Sequence, residues 1–177
     1  MLEYINDPND IKRIQPEDYK LLAKDIRHFL LKNVSRTGGH LASNLGIVEL
    51  TMALHLVLDF PKDQLIFDVG HQSYVHKILT GRKSGFQNLR QFHGMSGFPK
   101  RKESNCDAFH SGHSSMSLSA ALGMVAAREI NHTDETIVAV IGDGALSGGM
   151  AYEALNNMAR LRKEKKNMKS ILPGFLE

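Results

Sequence analysis

Three residues, Gly142-Asp143-Gly144, stand between an apolar, β-branched run, Thr136-Ile-Val-Ala-Val-Ile141, and a stretch with helical spacing from Gly149 to Arg162. Glycines there let the chain turn sharply at a strand's carboxyl end and let backbone approach a ligand closely. A helix N-terminus that follows offers free N–H groups to an anion. A single carboxylate, Asp143, has the chemistry to hold a divalent cation against that anion. The pattern reads either as a diphosphate–Mg²⁺ site at a strand-to-helix turn or as a tight turn carrying an exposed Asp. It is not the dinucleotide fingerprint, because Ser147 stands where the third Gly belongs, and no Gly-Lys-Ser/Thr follows to make a P-loop.

The chain holds nine histidines. His40, His71, His110 and His113 each adjoin Gly or Ser in polar stretches, where imidazole donates to phosphate or moves a proton. Each one alone is as readily a surface or structural residue. His55 and His76 fall inside helical runs and are read as structural. Cys106, His110 and His113 have a spacing that invites zinc, but no fourth ligand accompanies them. Nothing fixes a base beside Cys106 for nucleophilic work. Asp68 is read as capping or orienting its turn rather than as a metal ligand.

These residues need elements to position them. Pro16-Glu-Asp opens a helix, with Leu21, Leu22, Ile26, Phe29 and Leu30 at helical spacing up to about Val34. Residues 1–15 read as an irregular lead-in, and 35–44 as a polar loop. A second helix covers Leu45 to Leu58. Leu65 to Val69 is a short buried strand with Gly70-His71 at its carboxyl end. Helices follow over Ser73–Leu79, closed by Gly81, and over Gly85–Phe92. His93 to Ser111 is a loop, and Gly112-His113-Ser114-Ser115 opens a helix to about Asn131. Asn167 to Leu172 begins a third strand that Pro173-Gly174 breaks. This alternation argues for an α/β fold, a parallel sheet with helices on both faces. Ligands of such sheets bind at the carboxyl ends of the strands, where Gly70-His71 and Gly142-Asp143-Gly144 both fall.

Length and composition set the frame. A chain of 177 residues fits one domain, and 42% apolar with 23% charged residues is ordinary for a globular protein. With 22 basic and 19 acidic residues the net charge is only +3, and no long basic stripe suggests nucleic acid. No apolar run reaches 18 residues, so no membrane span is expected. One cysteine excludes an internal disulfide and suits a reducing cytoplasm. Met1 to Asp7 lacks the basic start and apolar core of a signal peptide.

Thr37-Gly-Gly-His-Leu-Ala-Ser-Asn-Leu-Gly46, Asp68-Val-Gly-His-Gln-Ser-Tyr74, His76-Lys-Ile-Leu-Thr-Gly-Arg82, Ser96-Gly-Phe-Pro-Lys-Arg101, Gly112-His-Ser-Ser115 and Gly142-Asp-Gly-Ala145 occur in a distinctive order. Together they resemble the 1-deoxy-D-xylulose-5-phosphate synthase family, which is transketolase-like and dependent on thiamine diphosphate. The resemblance runs from about residue 16 to 161. It implies condensation of pyruvate with glyceraldehyde 3-phosphate, releasing CO₂, in the supply of isoprenoid, thiamine and pyridoxal precursors. It implies that His71, Gly112, His113 and Ser114 touch the cofactor, that Asp143 ligates Mg²⁺, and that Gly144 and Ala145 lie against the diphosphate. His40 would face substrate and take part in proton transfer.

The sequence departs from that family in two ways. The family's second metal ligand, an Asn after the next strand, has no counterpart in Pro173 to Glu177, and Asn167 is a poor substitute. The family chain is several times longer, and its second domain supplies the glutamate that activates the cofactor. Glu153 lies at the wrong end to replace it. The expectation is therefore a single, incomplete diphosphate-binding domain over 1–177, inactive by itself and prone to self-association. A non-catalytic binding module, or the small half of a split enzyme completed by another chain, are the competing readings.

Overall fold

Leu22, Ile26, Leu30 and Val34 recur every four residues and are all buried along helix α1, Tyr19–Thr37. That spacing puts one apolar stripe on the helix. The computed structural model describes residues 1–164. The expected third strand at 167–172, and with it Asn167, lies outside the described residues.

Helices α2, Leu41–Leu45, and α3, Val48–Val57, follow, then strand β1, Gln64–Phe67. Helix α4, Tyr74–Leu79, has all six residues buried. A 3-10 helix, Lys83–Asn88, leads into the loop to residue 116, and α5 spans Ser117–Asn131. Strand β2, Ile137–Val140, is followed by the short α6, Asp143–Leu146, and by α7, Gly149–Glu164.

The two strands pair in parallel, with Phe67 opposite Val140, and the Asp68 N–H extends the ladder to the Val140 carbonyl at 2.7 Å. Leu65 and Phe67 pack on one face with Leu58, Phe60, Cys106 and Leu54 of α3. Ile66 points the other way, onto Ala121 of α5 and Ala108. Alternation along a strand thus divides β1 between two covered faces, as the parallel α/β reading expects. No helix among the described residues is long and apolar enough to cross a membrane.

Four local expectations need correction. The lead-in is part of the core: Ile5 and Ile11 are 0% exposed, held by 3-10 turns at Leu2–Tyr4 and Asp10–Arg13. Single 3-10 turns carry no 3.6-residue pattern, so tertiary contact alone reveals their burial. The polar loop expected at 35–44 contains the end of α1 and most of α2. The helix expected at Gly85–Phe92 is the 3-10 helix over Lys83–Asn88, and Arg90 and His93 beyond it take left-handed φ values of 62° and 57°. The helix expected to open at Gly112 starts at Ser117, which leaves 112–115 as irregular backbone.

His55 and His76 are buried, as the structural reading expects. His76 Nε2 lies 3.2 Å from the Asp107 carboxylate, and His55 Nε2 lies 2.9 Å from His76 Nδ1. A neutral His76 that donates from Nε2 must accept at Nδ1, so His55 donates between the rings. Burial, with the neighbouring charges of His76, Arg82 and Lys12, holds the His55 imidazole well below its ordinary value. Burial also lowers His76, against the opposing pull of Asp107.

Both rings are therefore neutral in the folded chain and take up protons near pH 6.5 in the unfolded one. Below that pH the unfolded state binds more protons, so stability is full above it and falls as pH drops, by about 1.4 kcal/mol per pH unit for each ring. Asp107 is itself held well below the ordinary carboxylate range, so its own contribution is lost only in stronger acid. Urea unfolding at pH 7.5 and 5.5 should show a clearly lower midpoint at 5.5. Coincident midpoints would show that the two rings carry protons in the fold.

Candidate functional site at the carboxyl edge of the sheet

Because β1 and β2 run parallel in register, the turns that leave them emerge at the same edge. After β1, Val69 takes φ 59° and Gly70 φ 92°. A left-handed β-branched residue costs on the order of 1–3 kcal/mol and persists only where its surroundings force it. Here a short Gly70 N–H to Asp68 carbonyl contact of 2.6 Å closes the turn and turns His71 out of the strand line. Gly70 has no room for a side chain: a Cβ would sit 2.6 Å from Pro99 and 2.8 Å from Ser111. That contact brings the loop ahead of Gly112 onto the turn that carries His71.

Asn44, fully buried, ties the His71 turn to His40. Its amide donates to the His40 carbonyl at 2.6 Å and to the His71 carbonyl at 2.8 Å, and its oxygen accepts the Tyr74 N–H at 2.8 Å. The Tyr74 hydroxyl in turn accepts the His40 N–H at 3.4 Å. The two imidazoles meet edge to face at 5.3 Å, with Phe98 5.9 Å from His40. The Nδ1 atoms of both rings are buried and have no hydrogen-bond partner within the protein. Buried polar atoms in native proteins are almost always paired, so two adjacent exceptions mark a place that a ligand or water completes. Burial, and then the neighbouring His40, holds His71 below its ordinary value.

Asp68 orients the opposite side of the turn. Its two oxygens accept the N–H groups of Ser115 at 2.7 Å and of Ser117 at 2.9 Å. It thereby caps the start of α5 and holds Ser115 at a left-handed φ of 68°. Asp68 is expected to cap or orient its own turn; its carboxylate instead caps the start of α5. The Ser115 hydroxyl then donates to the Ala145 carbonyl at 2.6 Å. Gly148 makes room for that hydroxyl, since a Cβ there would lie 2.1 Å from it. The exposed segment Gly112-His113-Ser114 is therefore held beside the Asp143–Ala145 turn.

In that turn the Asp143 carboxylate accepts the Gly144 N–H at 2.7 Å, and the Ser147 hydroxyl donates to the Gly144 carbonyl at 2.6 Å. Asp143 and Gly144 are exposed and Ala145 is half-buried. The structure thus gathers His40, His71, Gly112, His113, Ser114, Asp143, Gly144 and Ala145 at one edge of the sheet. Among the described residues no group of three or more His, Cys, Asp or Glu side chains could enclose a metal. Asp143 is a single exposed carboxylate in this turn.

Cys106 is buried on the sheet, and burial pushes its thiol up, which makes it inert. Sequence reasoning passed over Asn44, Tyr74 and Ser115 as site builders, and the pairing of Asp107 with Arg82. The one local hint was a polar residue wedged into otherwise packed sequence, such as Asp107 between Cys106 and Ala108.

A family model described as 1-deoxy-D-xylulose-5-phosphate synthase matches residues 2–172. A protein of that name from Lachnoclostridium phytofermentans is 68% identical over 163 residues, 92% of this chain and 26% of that protein. One from Clostridium botulinum strain Alaska E43 is 59% identical over 165 residues, and one from Caldanaerobacter subterraneus 58% over 164 residues, each with 93% of this chain and 26% of the relative covered. The chain spans about a quarter of the length of the curated relatives it matches.

Proposed function

The chain belongs to the 1-deoxy-D-xylulose-5-phosphate synthase family, and from that premise we propose that it forms the amino-terminal, diphosphate-binding part of a synthase that joins pyruvate to glyceraldehyde 3-phosphate with loss of CO₂. The cofactor on this reading is thiamine diphosphate with Mg²⁺, which Asp143 would hold. Thiamine diphosphate supplies the carbon nucleophile and the electron sink that decarboxylation needs.

The residues present suit that group. Asp143 offers one carboxylate to Mg²⁺. Gly144 carries no side chain and has open space around its Cα, so phosphate oxygens can approach its backbone and that of Ala145. Gly112, His113 and Ser114 present a second exposed strip of backbone and donors across from them. His71, neutral at physiological pH, suits contact with a cationic ring better than an imidazolium would. His40 stands beside it with Nδ1 free to accept or pass a proton near the substrate.

The observation that carries the proposal is the Ser115–Ala145 hydrogen bond. It joins the two exposed, side-chain-poor turns at the sheet edge that also carries His40 and His71, whose Nδ1 atoms are buried without partners. Titration calorimetry of the chain with thiamine diphosphate tests it. Binding is expected in Mg²⁺ and much weaker binding in EDTA, with inorganic pyrophosphate competing. Absence of any Mg²⁺-dependent binding of either molecule would overturn the assignment of this edge.

A further inference from the structure

Glu103 and Asp107 lie in the loop that precedes Gly112, and both are gripped in the same way. Glu103 accepts the backbone N–H of Ser96 at 2.7 Å and the ammonium of Lys77 at 2.5 Å. Asp107 accepts the backbone N–H of Lys100 at 2.7 Å and the two guanidinium nitrogens of Arg82 at 2.8 and 2.7 Å, with His76 Nε2 on the same carboxylate. Each carboxylate reaches back seven residues to close the loop on itself. Each then fastens the closed loop to a cation on α4 or just beyond it. Thr80 holds the remaining edge of the guanidinium, accepting from Arg82 at 2.8 and 3.2 Å. The Lys77 and Asp107 side chains are fully buried.

Beyond Asp107 the chain passes through buried Ala108 to Ser111, packs over Gly70, and emerges as the exposed Gly112-His113-Ser114. At Ser115 the Asp68 carboxylate catches it again. The exposed strip is thus slung between two anchored carboxylates, Asp107 on one side and Asp68 on the other.

Buried ion pairs add little net stability, because desolvation consumes most of their attraction. What a bidentate guanidinium–carboxylate pair does supply is direction, since the planar fork accepts a carboxylate in one orientation. We propose that Arg82–Asp107, seconded by Lys77–Glu103, is a positioning device for the Gly112–Ser114 strip, holding it in the geometry that receives a diphosphate. This rests on the reading of that strip as diphosphate-binding. Arg82, Asp107, Lys77 and Glu103 act through the loop and touch no ligand themselves.

The test is Arg82→Lys in the 177-residue chain, which keeps the charge and removes the fork. Three quantities are read: amide hydrogen exchange by NMR, the urea midpoint, and the affinity for inorganic pyrophosphate with Mg²⁺. The Ser115 amide is bonded to Asp68 and not to Arg82, so it reports whether the anchor acts at a distance. Its exchange is expected to quicken at least tenfold and pyrophosphate affinity to fall at least tenfold, while α1 and α3 amides and the urea midpoint stay near wild type. Loosening confined to the Lys100 amide, with Ser115 and affinity unchanged, would overturn the proposal. So would equal acceleration at every amide, which marks a purely structural role. If the unsubstituted chain binds no pyrophosphate, the diphosphate reading fails, and Ser115 exchange still decides whether the pair positions the strip. Should Arg82→Lys not fold, Glu103→Gln, at the less buried pair, is judged by the same outcomes.

Discussion

Asp143→Ala should lower the Mg²⁺-dependent affinity for thiamine diphosphate by about a hundredfold or more. Asp143 is the only carboxylate at the Gly142–Ala145 turn, and one of its oxygens is occupied by the Gly144 N–H at 2.7 Å. That bond aims the carboxylate instead of leaving it to rotate. A Mg²⁺ ion at such a site takes one or two protein carboxylates and fills its octahedron with phosphate oxygens and water. If Asp143 holds the ion as proposed, removing the carboxylate at this turn costs more than an ordinary hydrogen bond. A loss of about 3 kcal/mol, the upper range for bonds to charged groups, corresponds to roughly a hundredfold in dissociation constant. Calorimetric titrations of both proteins, in Mg²⁺ and in EDTA, separate this from a general weakening, since the two proteins should converge in EDTA. Equal affinities in Mg²⁺ would remove Asp143 from the metal site. Because Asp143 is exposed, the variant should unfold at the same urea concentration as the parent.

Asn44→Ala should destabilise the fold by about 4 kcal/mol. The side chain serves three backbone groups at once, the carbonyls of His40 and His71 and the N–H of Tyr74. It is 0% exposed, so water does not replace it without rearrangement. Leaving a buried polar group unpaired costs about 1–3 kcal/mol, and three such groups lose their partner together. Against a total stability of about 5–15 kcal/mol for a natural domain, such a loss leaves the chain marginal. Urea unfolding measures it directly. A change under about 1 kcal/mol would mean that the three groups find other partners and that Asn44 is no clamp. Because Asn44 also ties the His40 loop to the His71 turn, imidazole NMR should report a changed environment for both rings in whatever fraction remains folded.

Much of this site could be read along the chain because its parts are local. A β-branched run ending in Gly142-Asp143-Gly144 is a strand followed by a turn whatever surrounds it, and β2 stops at Val140. Leu65 to Val69 ahead of Gly70-His71 reads the same way, although β1 stops earlier, at Phe67, with Val69 already in a left-handed turn at φ 59°. Two such strands separated by helices argue for parallel pairing, which the register confirms. The reading of Asp68 as a capping residue rests on a similar signal, a short polar side chain beside a glycine turn. It did not extend to the partners, since Ser115 and Ser117 stand 47 and 49 residues further on.

What local pattern failed to show is burial and partnership imposed from a distance. Ile5 and Ile11 belong to no periodic run, and only packing against α1 and α4 places them in the core. Nothing local pairs Arg82 with Asp107; the fold brings them together across 25 residues and buries the Asp107 carboxylate fully. The start of α5 at Ser117 rather than Gly112 follows from the Asp68 carboxylate, which satisfies the first free N–H groups from outside the helix.

From residue types and spacing alone came the parallel α/β arrangement and the two glycine turns at its strand ends; the grouping of His40, His71, Gly112 to Ser114 and Asp143 to Ala145 came from the resemblance those motifs carry. Periodicity and turn chemistry operate within a few residues, which locates the strands but runs their ends on to Val69 and Ile141, past the observed Phe67 and Val140. Only the tertiary structure decided which turns touch: Ser115 on Ala145, Ser111 over Gly70, Asn44 between His40 and His71. Each of these contacts joins segments more than 25 residues apart, and a hydrogen bond's partner at that range depends on how whole helices pack around the sheet.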